Sequence, residues 1–115
     1  MIHLYGIPNC DTIKKALDFL KKSKAKVTFH DFKKEGVSKA QLKGWATKTG
    51  WENLLNKKST TWRALTPEEQ QKASLKAGAL KLMQQQTSVI KRPVVEWPDG
   101  AITTGFNEIL FASHL

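Results

Sequence analysis

The stretch IHLYGIPNCDTIKKALDFLKKSKAKVTFHDF, residues 2–32, settles the fold class. Ile2–Tyr5 is a short apolar run ending at Gly6 and Pro8, the pattern of a buried strand that runs into a loop. Asn9 stands where a helix cap is needed, and the spacing predicts a helix over Cys10–Lys22. Ile13, Ala16, Leu17 and Leu20 recur at i, i+3, i+4 and i+7, one apolar stripe, while Lys14, Lys15, Lys21 and Lys22 take much of the remaining surface. Val27, Phe29 and Asp31 alternate with Thr28, His30 and Phe32, which predicts a second strand. Strand, helix and strand at this spacing make a βαβ unit, whose strands are expected to lie parallel with a right-handed crossover.

Working outward, Ser38 opens a capping-box pattern with Gln41, and Leu42, Trp45 and Ala46 give an apolar edge that stops at Gly50. A short turn is expected around Trp51–Leu55. Thr66-Pro67-Glu68-Glu69 signals another helix start, and Leu75, Ala79, Leu82 and Met83 carry the pattern on, with Gly78 as a point of breakage. Pro93–Trp97, Pro98-Asp99-Gly100 and Ala101–Thr104 read as a hairpin, and Phe106, Ile109 and Leu110 suit a closing helix. The order βαβ, a helical insert at about 38–88, then ββα predicts one α/β domain spanning 1–115. Its expected architecture is a mixed, four-stranded sheet with helices on both faces.

At 115 residues and 40% hydrophobic, the chain has the size and composition of one globular domain. No apolar run reaches the roughly 18 residues of a membrane span, and no secretory signal pattern opens the sequence. A single cysteine allows no internal disulfide and fits a reducing, cytoplasmic compartment. The net charge of +9 is concentrated: residues 14–58 hold thirteen lysines against four acids, and the rest of the chain is balanced. Such a surface suits anionic partners. Only Arg63 and Arg92 are arginine, however, and no zinc-ligand spacing is present, so solvated lysine faces are expected and nucleic-acid binding is not. The four tryptophans read as core or subdomain-interface residues. His3, His30 and His114 read as structural and unclustered, and no metal site is expected.

Cys10 changes meaning with its position. Just after a strand, at a helix N-terminus, free backbone N–H groups and the helix dipole favour the thiolate, which is the reactive form. Lys14 adds attraction one turn along, and Asp11 opposes it. Open α/β sheets also place their ligand crevices at such strand ends. Asn9 and Thr12 can hydrogen-bond at the thiol or serve as cap and first-turn residues. Arg92 can hold an anionic ligand or pair with Glu96 or Asp99. By residue chemistry alone, Pro93 is an edge-strand proline with the usual trans bond.

Four stretches together carry a resemblance: Gly-Ile-Pro-Asn-Cys-Asp-Thr-Ile-Lys-Lys-Ala at 6–16, Leu54-Leu55-Asn56-Lys57, Ile90–Val95, and Asp99-Gly100 ahead of Gly105-Phe106. In order and spacing the chain resembles the arsenate reductase–Spx family, the ArsC family, and within it the short, single-cysteine YffB-type members. The resemblance implies a thioredoxin-like fold with a helical insert and a cis Arg92–Pro93 bond beside Cys10. It also implies that the backbone before Pro93 pairs with a peptide-like substrate. Family arsenate reductases carry a histidine where this chain has Gly6. They use three arginines, of which Arg92 matches one, while the others map onto Asn56, next to Lys57 and Lys58, and onto Gly105. Spx-type regulators carry Cys-x-x-Cys, whereas Ile13 occupies the second position here.

These departures weigh against arsenate reduction and against a dithiol switch. The expectation is a glutathione-dependent thiol–disulfide reductase or deglutathionylase that works through a mixed disulfide on Cys10. Asn9, Thr12, Lys14, Arg92 and Pro93 would bind substrate, and glutathione would be a co-substrate, with no tightly bound cofactor. The alternatives are glutathione-coupled arsenate reduction and a non-catalytic, Spx-like module that binds a protein such as RNA polymerase.

Overall fold

A computed structural model describes residues 1–115 and divides into two compact units, Met1–Glu35 with Arg92–Leu115, and Gly36–Lys91. The strands are β1 (Ile2–Gly6), β2 (Val27–Asp31), β3 (Val94–Glu96) and β4 (Ile102–Thr104). The helices are α1 (Asp11–Lys22), α2 (Phe32–Glu35), α3 (Lys39–Thr49), α4 (Trp51–Leu54), α5 (Thr60–Ala64), α6 (Pro67–Lys72), α7 (Lys76–Gln85) and α8 (Glu108–Ser113). No helix is long and apolar enough to cross a membrane.

In the first unit the sheet order is β2-β1-β3-β4. β1 and β2 are parallel, as the βαβ spacing requires, while β3 runs antiparallel to β1 and β4 to β3. This is the mixed, four-stranded sheet of a thioredoxin-like fold. Strand alternation sends Ile2, Leu4 and Val95 to one face, where Ile13, Ala16 and Leu20 of α1 and Phe111 of α8 join them in one core. The hairpin forms as its turn residues dictate. Gly100, at φ 87°, donates its N–H to the Trp97 carbonyl at 2.9 Å, and Asp99 Oδ1 accepts the Ala101 N–H at 2.9 Å.

Three expectations in this unit need correction. Asn9 is exposed and does not cap α1; Cys10 is the N-cap, extended at φ −137° and ψ 125°, with no side-chain cap bond. Phe32 belongs to α2 rather than to the strand, because Asp31 Oδ1 accepts the Lys33 N–H at 2.8 Å and turns the chain. In α8, Asn107 Oδ1 caps the Leu110 N–H at 3.0 Å, and the helix buries Phe111 while leaving Ile109 83% exposed.

The helical unit shows both capping boxes. Ser38 Oγ accepts from the Gln41 N–H while Gln41 Oε1 accepts from the Ser38 N–H, both at 3.0 Å. Thr66 and Glu69 repeat the arrangement, and the Thr66 backbone N–H, followed by its hydroxyl, holds the Glu69 carboxyl below the usual carboxylate range. Leu55 bridges Ile90, flanked by bonds from the Lys91 N–H to the Leu54 carbonyl and from the Asn56 N–H to the Val89 carbonyl, both 2.7 Å. Ser38→Ala removes one side-chain cap and is expected to cost about 1 kcal/mol in chemical denaturation.

Gly78 does not break the helix. The interruption lies between Lys72 and Lys76, and α7 runs through Gly78. Leu75 is the α7 N-cap and 73% exposed, while Ala79, Leu80 and Met83 form the buried face. Trp45, Trp62 and Trp97 are buried, and Trp51 is half-buried.

Candidate active site

β1 ends at Gly6, whose parallel neighbour is Asp31 at the end of β2. The antiparallel register places Tyr5 opposite Val94, so the next residues outward are Gly6 on one strand and Pro93 on the other. Val94 pairs in turn with Thr104, and the Gly105 N–H donates to the Pro93 carbonyl at 2.9 Å. The sheet topology therefore brings the loop 7–10, the Arg92–Pro93 peptide and Gly105 to one end of the sheet. The Arg92–Pro93 peptide is cis; Pro93 is buried and Arg92 half-buried.

Cys10, a free thiol, closes that loop and is half-buried against the unit's core. Its carbonyl accepts the Lys14 N–H at 3.0 Å, the first bond of α1. The N–H groups of Asp11, Thr12 and Ile13 precede any intrahelical acceptor and gather around the cap position. With the helix dipole they make an environment suited to a negative atom. The Cys10 side chain takes no part in capping, so its sulfur is not committed to the helix. Asn9 is exposed on the loop, Thr12 is half-buried, and Lys14 is exposed one turn along.

The positions where this chain departs from arsenate reductases have local structural meaning. A Cβ on Gly6 would collide with Cδ1 of the buried Ile13, so any side chain there requires Ile13 to change its rotamer. Gly105 sits at φ 80°, a backbone conformation costly for arginine. In the helical unit, Asn56, Lys57, Lys58 and Lys91 line a pocket of about 400 Å³ together with Trp51.

Two of the three histidines, His3 and His30, come together, contrary to the sequence expectation. His3 Nδ1 lies 2.9 Å from His30 Nε2, and His30 Nδ1 lies 3.0 Å from Glu35 Oε1. Tyr5 stacks on His30 at 4.4 Å and donates its hydroxyl to Glu96 Oε1 at 3.0 Å. A consistent set of donors satisfies this pattern: His30 Nδ1–H to Glu35, and His3 Nδ1–H to His30 Nε2. The network ties β1, β2, β3 and α2 together. The parallel register pairs residues 25 apart, so His30 stands beside Tyr5 and diagonal to His3 on the same face; alternation of His3, Tyr5 and His30 on predicted strands was the available signal, but the register was not.

His114 has its own partner. Its Nδ1 meets Asp99 Oδ2 at 2.9 Å, and its ring stacks on Trp97. The His114 contact, then the Ala101 N–H, lowers the Asp99 carboxyl below its ordinary value. A depressed folded-state value means the contact stabilises above the unfolded-state pKa and is lost as pH falls through the folded-state value. Acid titration by NMR is expected to release the His114 ring from Trp97 in that window, and Asp99→Asn to remove the transition.

Comparison with known proteins agrees with this geometry. The model of the ArsC family matches residues 5–111. An uncharacterised protein of Haemophilus influenzae is 44% identical over 109 residues, covering 94% of this chain and 93% of the relative. The solved structure of a YffB protein superposes with a TM-score of 0.92 at 40% identity, covering 100% of this chain and 99% of the other. An arsenate reductase-related protein from Brucella melitensis gives a TM-score of 0.77 at 39% identity over 98% and 92% of the two chains. An arsenate reductase from Vibrio cholerae shares the fold, with a TM-score of 0.81 at 17% identity over 99% and 97%. A cysteine at a helix cap, a cis proline at the adjoining strand and a family match along nearly the whole chain lead to one conclusion: the protein belongs to the ArsC family.

Proposed function

We propose that the protein is a glutathione-dependent thiol–disulfide reductase or deglutathionylase that uses Cys10 alone. Membership of the ArsC family supports a thiol-reductase type of function. The observation that carries the finer reading is a solitary free thiol at the N-cap of α1, its side chain making no cap bond, at the sheet end that also holds Arg92 and Pro93.

The Cys10 thiolate attacks the glutathione sulfur of a protein–glutathione disulfide. A Cys10–glutathione disulfide forms, the original S–S bond breaks, and the protein thiolate leaves and takes a proton. With no second cysteine in the chain, a glutathione thiolate attacks the mixed disulfide. Oxidised glutathione departs, and Cys10 returns as thiolate. The net change is an exchange: the one entering glutathione thiol is oxidised to the disulfide level as the substrate protein's sulfur is reduced to a thiol, and the substrate's own glutathionyl sulfur stays at the disulfide level throughout. The Arg92 guanidinium and the Lys14 ammonium suit glutathione's carboxylates, the backbone ahead of Pro93 suits its peptide groups, and Asn9 and Thr12 can bond at the sulfur.

Incubation with oxidised glutathione followed by intact-mass and peptide spectrometry is expected to show one adduct, on Cys10, that reduced glutathione removes. Absence of the adduct from the folded protein, or turnover of arsenate that depends on Cys10 and Arg92, would replace this reading. Arg92→Ala is expected to lower kcat/KM about tenfold, the effect of one charge-assisted hydrogen bond.

A further inference from the structure

The helical unit carries a second feature unconnected with Cys10. A groove of about 680 Å³ is lined by Lys39 and Lys43 of α3 and by Lys76, Ala77, Leu80, Lys81 and Gln84 of α7, where Ala77 is exposed and Leu80 shows only its edge. No acidic residue lines the groove. None of these four lysines has an ion-pair or hydrogen-bond partner through its side chain, unlike Lys22, which holds Asp18 at 3.0 Å. Lys39 and Lys43 stand four apart on one helix, a like-charged arrangement that opposes helix stability. Their aliphatic stems extend the apolar surface while their ammonium groups remain in water. Lys39 and Lys43 form one basic row on α3, and Lys76 and Lys81, five apart on α7, stand on either side of Ala77, Leu80 and Gln84.

We infer that this groove is a docking site for an acidic amphipathic helix of a partner protein. Such a helix presents apolar residues at i, i+3, i+4 and i+7 to Ala77 and the lysine stems, and carboxylates on both flanks to the four ammonium groups. Charge complementarity sets the choice of occupant. A second copy of the chain carries the same net +9 and is repelled. A single acyl carboxylate leaves most of the lysines unpaired. Duplex nucleic acid has no use for an apolar groove, and no arginine or aromatic residue lines this one for phosphate forks or base stacking.

The test uses the full chain and a synthetic four-turn peptide with leucines on one face and glutamates on both flanks. A shuffled peptide of identical composition is the control. The expected result is a set of amide shift changes confined to α3 and α7, absent with the shuffled peptide. Lys43→Glu with Lys81→Glu is expected to weaken binding at least tenfold, whereas Lys33→Glu with Lys34→Glu, exposed on α2, leaves it unchanged. Ala77→Gln, which preserves charge while filling the groove, is expected to weaken binding several-fold. Equal binding of the shuffled peptide, or equal losses from the two lysine pairs, would reduce the groove to general electrostatics and overturn the inference. So would the same groove-confined shifts on adding duplex DNA or anionic phosphatidylglycerol vesicles.

Discussion

Cys10→Ser is expected to eliminate the glutathione adduct and lower thiol–disulfide turnover by at least about 1,000-fold, the scale on which loss of a covalent nucleophile is felt. A serine hydroxyl is not appreciably ionised near neutrality and cannot exchange with a disulfide. The same substitution is expected to leave the fold intact or strengthen it. Cys10 occupies the N-cap of α1 in an extended conformation and makes no cap bond, and serine is among the best residues for that position. A gain of up to about 1 kcal/mol follows if the hydroxyl accepts a first-turn N–H. Measured together, activity and midpoint of denaturation separate a functional thiol from a packing residue. Retained turnover would remove Cys10 from the chemistry, and a large drop in stability would mark its sulfur as structural.

Gly78→Ala is expected to destabilise the helical unit by about 2 kcal/mol net, against the simple rule that alanine improves a helix by about 1 kcal/mol. A Cβ at Gly78 would lie 1.8 Å from the Lys72 carbonyl oxygen and 2.9 Å from its carbon. Those are backbone atoms at the end of α6, with no rotamer to yield. α7 must move, loosening Ala79, Leu80 and Met83, and overpacking of this kind costs roughly 1–3 kcal/mol or more. Amide exchange is expected to quicken along α6 and α7. A higher denaturation midpoint for Gly78→Ala would show that the close approach is not maintained in solution.

Gly78 also shows where sequence reading misleads. Glycine within a helical pattern suggests a break, yet here it permits one helix to pass a neighbouring carbonyl, a contact between residues six apart that no periodicity reveals. Leu75 and Ile109 mislead in a related way. Both fit an apolar stripe, but Leu75 is the extended N-cap ahead of α7, and the short α8 buries Phe111 instead of Ile109, so both stand in solvent. The capping boxes at Ser38 and Thr66 and the Pro98-Asp99-Gly100 turn were legible because each is completed within a few residues by groups whose geometry the chain itself supplies.

The candidate site divides along the same line. Cys10 at a strand-to-helix junction could be read from a dozen residues, since cap, dipole and stripe are local. Placing Arg92 and Pro93 at the same end of the sheet needed the family resemblance, and the antiparallel register of β1 with β3 bears it out. The His3–His30–Glu35 chain was not legible beyond the strand alternation, because strand pairing alone brings its members together. Short-range order in this protein comes from backbone preferences and hydrophobic spacing, which act over one or two turns. Partners separated by tens of residues meet only once strand pairing selects a register, and that selection belongs to the packed core as a whole.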